Sequence, residues 1–230
     1  MIYNMNFILI IFLFSVKMVL IIDKIIYLFD FNMFICYYTK NKASLMVGQF
    51  GEEMKTILQR LEANALEMPN KTIFADSENA ISYSQFETQC KKIASSMKIL
   101  LGGGSHNQPI AVFDNRNINT LKGMFAVMYS GNYYIVLDSK SPSERLQKIL
   151  DVIKPVAILC EEHNKELLAT LKTDAIALII EDCEKSEIDQ EFISKKREEL
   201  ISTDPIYALF TSGSTGTPKG TILTHQNVVD

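Results

Sequence analysis

Between residues 109 and 210, short apolar runs alternate with segments whose apolar residues recur every three or four positions. The short runs predict buried strands and the periodic segments predict amphipathic helices. The predicted strands are 109–113, 133–137, 155–160, 175–180 and 206–210. The predicted helices are 117–129, 143–153, 161–171 and a charged helix that runs through 195–200. This alternation predicts an α/β fold, a mainly parallel sheet with flanking helices.

A different pattern precedes this alternation. Residues 55–66 have helical apolar spacing that ends before Pro69, which predicts a short first helix. Residues 71–75 and 80–83 are predicted to pair as a hairpin across a polar turn. Residues 84–101 form the next helical pattern, which the glycines at 102–104 terminate.

Residues 1–45 have a composition unlike that of the remaining chain. They are almost entirely Phe, Ile, Leu, Met, Tyr, Asn and Lys, whereas all ten glycines and all six prolines lie after Val47. We therefore predict an apolar extension over 1–45 and a folded domain over 46–230. The run from Phe7 to Ile22 contains Lys17 and is shorter than the about 20 residues that a membrane-spanning helix needs.

Three interpretations of this extension remain open. In the first, Met46 is the true start and the extension is A/T-rich upstream sequence read as protein. In the second the extension is a membrane anchor, and in the third it is a buried structural segment. An anchor would keep the folded domain in the cytoplasm, because Lys40 and Lys42 follow the apolar run. A membrane partner is therefore expected only if residues 1–45 are translated.

Charge and cysteine usage argue against several classes of protein. The formal net charge is −4, and the one dense basic run, Lys195 to Arg197, is flanked by glutamates, which argues against a nucleic-acid partner. The four cysteines form no C-x-x-C pair and the three histidines show no ligand spacing, so neither a zinc site nor a redox motif is predicted. These features indicate a reducing compartment, the cytoplasm.

A stretch rich in glycine and hydroxyl residues follows the last predicted strand, from Thr211 to Gly220. Glycines let backbone N–H groups approach an anion, hydroxyls add donors, and Lys219 adds a positive charge. The stretch lies at the carboxyl end of a strand, where α/β sheets bind ligands, and it predicts a phosphate-binding loop. It is not a Walker A loop, because Pro218 stands where that motif has its second glycine.

The segment from Tyr207 to Gly220 (YALFTSGSTGTPKG) closely resembles the phosphate-loop signature of the adenylate-forming superfamily, the AMP-binding enzymes. Residues 129–138 (YSGNYYIVLD) and 81–86 (ISYSQF) are similar to two upstream motifs, with Val136 in place of a usual proline and Gln85 in place of a usual acid. The likeness covers about residues 52–230. It is strongest to amino acid adenylation domains of nonribosomal peptide synthetases and to D-alanine–carrier protein ligases.

This resemblance implies the incomplete first part of the large N-terminal lobe of such an enzyme, truncated after the phosphate loop. It implies ATP-dependent activation of an amino acid carboxylate as aminoacyl-AMP and transfer to the phosphopantetheine thiol of a carrier protein, with ATP and Mg²⁺ as cofactors. It places no catalytic residue and no resident metal site within the chain. The residues that it assigns to phosphate binding are Thr211, Ser212, Gly213, Ser214, Thr215, Gly216, Thr217 and Lys219.

Two alternatives remain open: an acyl- or aryl-CoA synthetase of the same superfamily, and a non-catalytic or decayed membrane-tethered fragment. Because the resemblance places the specificity pocket and a late lysine beyond this region, we expect no amino-acid-dependent ATP–pyrophosphate exchange from the chain alone. His225 is predicted to pack rather than react, behind a cap from Thr224. Tyr133 and Tyr134 are predicted as core aromatics.

Overall fold

The chain divides into two compact units, Met1–Met54 and Lys55–Asp230. The computed structural model describes residues 18–22, 25–29, 56–212 and 218–229. The boundary predicted at residues 45 and 46 stays a prediction.

The first unit contains one antiparallel pair of strands. Strand β1 (Met18–Ile22) pairs with β2 (Ile25–Phe29) through a five-residue register that joins Met18 to Phe29. The end of the apolar run that begins at Phe7 is thus a strand, and the earlier part of that run lies outside the described residues. Among the residues described, no helix combines the length and the apolar character needed to cross a membrane.

The second unit opens with the predicted helix, hairpin and helix. Helix α1 (Ile57–Glu67) is followed by the antiparallel strands β3 (Thr72–Ala75) and β4 (Ala80–Ser82) and by helix α2 (Tyr83–Leu101). At the start of α2, Gln85 N–H donates to Ser82 Oγ at 3.3 Å and Ser82 N–H donates to Gln85 Oε1 at 3.1 Å. This capping box explains why an amide can replace the acid of the family motif.

A six-stranded sheet forms the centre of the second unit, in the order β10-β9-β6-β5-β7-β8. Its strands are β5 (Pro109–Asp114), β6 (Tyr133–Asp138), β7 (Ala157–Cys160), β8 (Ile176–Ile179), β9 (Pro205–Ser212) and β10 (Pro218–Thr224). All neighbours are parallel except β9 and β10, which are antiparallel. The predicted mainly parallel sheet is confirmed, but its edge is β10, which the sequence analysis did not predict.

Helices cover both faces of this sheet. They are α3 (Ile118–Tyr129), α4 (Ser143–Ile153), α5 (Lys165–Ala169), α6 (Ile180–Cys183), α7 (Gln190–Glu199) and α8 (His225–Val229). Leu146 and Leu150 of α4 pack against the sheet side chains Phe113 and Leu137. Helix α3 covers the other face so closely that a β-carbon at Gly123 would lie 3.1 Å from Cγ1 of Val112.

Two predicted elements differ most clearly from the structure, whereas the prediction of two core aromatics is confirmed. The helix predicted over 161–171 is a 3₁₀ turn, Glu162–Asn164, followed by the short α5. The Glu161 side chain before this turn accepts hydrogen bonds from distant asparagines instead of continuing a helix. The strand predicted over 175–180 ends at Ile179, where α6 begins. Tyr134 is buried and stacks on Tyr207, with ring centroids 5.6 Å apart, and Tyr133 is partly buried and packs against the core cluster.

Candidate functional site

The β9–β10 hairpin brings the two ends of the glycine-rich stretch together. In its register, Lys219 lies opposite Thr211 and Pro218 lies opposite Ser212. Strand β9 runs parallel to β6, so this end of the hairpin lies at the carboxyl edge of the parallel strands, where α/β sheets bind their ligands. Of the predicted phosphate-binding residues, the structure thus brings together Thr211, Ser212 and Lys219.

The other five predicted site residues lie outside the described residues, and their phosphate-binding role stays a prediction. They are Gly213, Ser214, Thr215, Gly216 and Thr217.

An aromatic ring lies between the two strands of the hairpin, next to the glycine-rich stretch. Phe210 lies directly opposite Gly220. A β-carbon at Gly220 would lie 2.6 Å from Cζ of Phe210 and 3.0 Å from its Cε1, so a larger residue at this position would require the ring or the strand to shift. The Phe210 ring thus occupies the space above Gly220, and a β-carbon there would displace it.

The opposite end of the hairpin is fixed by backbone hydrogen bonds. The carbonyl of Asp204 accepts from His225 N–H at 3.1 Å, and that of Ser202 accepts from Gln226 N–H at 2.8 Å. The Asp204 carboxylate accepts from Asn107 Nδ2 at 3.0 Å. These hydrogen bonds hold the turn before β9 against the end of β10, so this end of the hairpin is fixed in place.

His225 lies at this fixed end of the hairpin. It is completely buried, and neither ring nitrogen has a hydrogen-bond partner among the described residues. Burial lowers the pKa of His225 to about 4, against a smaller opposing effect of Asp204. Thr224 caps helix α8 by accepting from Asn227 N–H at 3.4 Å, as predicted. A buried neutral imidazole that faces no solvent fits the predicted packing role.

Two aspartates and an arginine lie at the same carboxyl edge, Asp138 on the strand next to β9 and the other two at the end of β5, one strand further. Asp114 of β5 is in register with Asp138 of β6. Asp114 Oδ1 accepts from Arg116 N–H at 2.8 Å and holds Arg116 in the left-handed region, with φ of 59°. Arg116 Nη2 lies 3.7 Å from Asp138 Oδ2. Burial, and secondly the charge of Asp138, raise the pKa of Asp114.

A polar network that the sequence analysis missed joins the loops after β5 and β7. The buried carboxylate of Glu161 accepts from Asn115 Nδ2 at 2.6 Å, from Asn117 Nδ2 at 2.7 Å and from Asn119 Nδ2 at 2.8 Å. Asn164 Oδ1 accepts from Asn115 Nδ2 at 2.7 Å. The asparagines at alternate positions 115, 117 and 119 were the available signal, but their distant partner Glu161 was not evident from spacing.

The described residues offer neither a metal cluster nor an activated thiol. No group of three or more His, Cys, Asp or Glu side chains there is arranged to hold a metal ion. Cys90, Cys160 and Cys183 are buried free thiols. Burial raises the pKa of Cys160 to about 11, so this thiol stays protonated at neutral pH.

Relatives share the sequence of this unit. The chain is 31% identical over 166 residues to one of the plipastatin synthase proteins of Bacillus subtilis, covering 72% of this chain and 6% of that protein. It is 27% identical over 181 residues to gramicidin S synthase 1 of Brevibacillus brevis, covering 76% of this chain and 15% of that protein. The chain thus spans only a small part of the relatives that it matches.

Solved structures share the fold. The N-terminal subdomain of Klebsiella oxytoca NpsA matches with a TM-score of 0.64 at 17% identity, over 77% of this chain and 44% of that one. A fatty acyl-adenylate ligase from L. pneumophila matches with a TM-score of 0.61 at 20% identity, over 76% of this chain and 31% of that one. These likenesses establish the fold, and the family model "AMP-binding enzyme" matches residues 61–230. The chain therefore belongs to the family of AMP-binding enzymes.

Proposed function

We propose that this chain is the phosphate-binding portion of an enzyme that activates an amino acid with ATP and transfers it to a carrier protein. The relatives named above are peptide synthases, and this observation carries the amino acid assignment. In the proposed reaction, a carboxylate oxygen of the amino acid bonds to the α-phosphorus of ATP, and pyrophosphate leaves. The thiol of a carrier-protein phosphopantetheine then takes the aminoacyl group, and AMP leaves.

The donor set of the hairpin fits the phosphates of ATP. Backbone N–H groups at Gly213 and Gly216, hydroxyls at Thr211, Ser212, Ser214, Thr215 and Thr217, and the ammonium of Lys219 are the groups proposed to bind the β- and γ-phosphates. Donors placed where the leaving pyrophosphate gains charge lower the barrier electrostatically. Mg²⁺ bound with the nucleotide would neutralise part of the same charge.

The stiff end of the hairpin supports this assignment. Pro218 has no N–H and a fixed φ, and it pairs with Ser212 at the last rung before the loop. Lys219 follows on the next rung, opposite Thr211. A cation and a hydroxyl residue held across two paired strands are suited to a ligand with two neighbouring phosphates.

One narrower assignment, one other member of the superfamily and one different class remain as alternatives. A D-alanine–carrier protein ligase would use the same reaction with one amino acid. An acyl- or aryl-CoA synthetase would use another carboxylate, and the likeness to a fatty acyl-adenylate ligase keeps this class open. A decayed, membrane-tethered fragment would bind no nucleotide. We propose a cytoplasmic location, since Cys90, Cys160 and Cys183 are free thiols.

Hybrid proteins test whether this chain can supply the phosphate-binding part of such an enzyme. Residues 61–230, the span of the family match, would replace the matching segment either of gramicidin S synthase 1 or of the L. pneumophila ligase. ATP–pyrophosphate exchange is then measured with the substrate of each host, with Lys219→Met as the paired control. We expect exchange in the peptide-synthase host and its loss in the Lys219→Met hybrid. No exchange in either folded hybrid, or equal exchange with Lys219→Met, would contradict the proposal.

A further inference from the structure

Strand β10 is held in the sheet by few side chains near its functional end. Its residues Gly220, Thr221 and Ile222 are exposed, and Ile222 retains 57% of its accessible surface. Because β10 is the edge strand, backbone bonds to β9 hold it from one side only. An edge strand held in this way separates easily unless a cross-strand contact adds to its pairing.

Phe210 provides such a contact. Its ring is partly buried and packs against the core cluster that α4 covers on one face of the sheet. The far end of the same ring lies over Gly220, where three of its carbons would be within 3.1 Å of a β-carbon. The ring of this β9 residue thus contacts both the core cluster and the backbone of β10. An aromatic residue that covers an edge glycine is a known device for fixing strand pairing.

The position of this contact connects it to the phosphate loop. Phe210 immediately precedes Thr211, and Gly220 immediately follows Lys219. The Phe210–Gly220 pair is therefore adjacent to the rung that joins Thr211 to Lys219. A change in strand separation or twist at Phe210 and Gly220 therefore also changes the distance between Thr211 and Lys219.

We infer that Phe210 is a positioning residue of the phosphate site. Its ring, seated on Gly220, fixes the pairing of β9 with β10 and so keeps Lys219 and Thr211 together at one ligand. The inference rests on the proposed function, since it assigns phosphate binding to these two residues. Phe210 itself does not touch the ligand in this account.

A double-mutant cycle tests the inference on the full 230-residue chain. The variants are Phe210→Ala, Gly220→Ala and the double variant, and the probe is magnesium pyrophosphate, titrated by ³¹P NMR. We expect Gly220→Ala to weaken binding about tenfold, because its β-carbon displaces the ring. In the Phe210→Ala background the same β-carbon has room, so the double variant should bind as Phe210→Ala does. Phe210→Leu should retain part of the affinity.

Two controls distinguish positioning from general loss of stability. Leu146→Ala removes a buried side chain of the same cluster from α4, and it should lower stability to urea with an unchanged dissociation constant. Hydrogen exchange of residues 218–224 should become faster in Phe210→Ala and stay unchanged in Leu146→Ala.

The outcomes separate this inference from the proposed function. If the wild-type chain does not bind pyrophosphate, the proposed function is wrong, and hydrogen exchange alone decides whether Phe210 fixes the hairpin. If the wild type binds and Gly220→Ala weakens binding equally with and without Phe210, the positioning role is refuted. Unchanged exchange of residues 218–224 in Phe210→Ala refutes it as well.

Discussion

Removal of the Glu161 carboxylate should destabilise the protein strongly, although this group lies outside the phosphate site. Glu161 is 6% exposed and accepts from three asparagine amides at 2.6–2.8 Å. A hydrogen bond to a charged group contributes about 1.5–3 kcal/mol. Three such bonds, taken at the lower end because they share one carboxylate, give about 4 kcal/mol for Glu161→Ala.

Two further variants make this magnitude specific to the carboxylate. Glu161→Gln keeps the shape but places an NH₂ group against one of the asparagine amides, so it should cost about 2–3 kcal/mol. Glu166→Gln changes an exposed glutamate five residues away, and it should stay within about 0.5 kcal/mol of the wild type.

Urea unfolding followed by circular dichroism measures these changes. A loss of about 4 kcal/mol also corresponds to a decrease of roughly 8–16 °C in Tm for a unit of this size. The expected order of destabilisation is Glu161→Ala, then Glu161→Gln, then Glu166→Gln. A Glu161→Ala variant within about 1 kcal/mol of the wild type would refute the reasoning, since the three bonds would then contribute nothing beyond those to water.

Three other expectations concern buried or strained groups. The pKa of His225 is lowered from 6.5 to about 4, so its contribution to stability is complete above pH 6.5 and is lost as the pH falls to 4. Urea unfolding should therefore show a loss of about 3 kcal/mol over this range. His225→Asn should reduce this dependence of stability on pH. Gly131 has φ of +74°, so Gly131→Ala should destabilise the protein by about 1–2 kcal/mol. Gly103→Ala should not, because its β-carbon would make only an ordinary contact with the Lys98 side chain at 3.6 Å; equal effects in thermal melts would refute this. Lys122 is more deeply buried than its partner Glu184, with side chains 7% and 26% exposed, so Glu184→Ala should destabilise more than Lys122→Met, and the reverse order would contradict the assignment of the pair.

Much of the fold was predictable because local and global signals agree. The helices over 118–129 and 143–153 combine strong apolar periodicity with terminal signals, such as the Asn117 side chain that accepts from Thr120 N–H. Strands of the parallel sheet are nearly all apolar, because both faces are covered. Such segments leave few alternatives.

The missed features depend on contacts between distant residues. Strand β10 begins with Pro218, Lys219 and Gly220, which resemble a turn; only pairing with β9 makes them extended. The helix predicted over 161–171 is interrupted because Glu161 bonds to asparagines more than 40 positions away. No local pattern contains that information.

The candidate site divides in the same way. The motif from Thr211 to Gly220 was readable from residue types and order alone. That Gly220 lies under the Phe210 ring was not, because the two lie ten positions apart and meet only through the antiparallel register.

Direct binding of MgATP to the 230-residue chain tests the central claim, that the β9–β10 hairpin holds the phosphates of ATP. Calorimetric titration should give a dissociation constant of about 1 mM, equivalent to about 4 kcal/mol. The affinity is expected to be weak because only the unit Lys55–Asp230 supplies contacts to the nucleotide. Lys219→Met should weaken it at least tenfold, whereas Lys71→Met, at an exposed position, should leave it unchanged. A folded chain that binds no MgATP, or binds it equally without Lys219, would contradict the account.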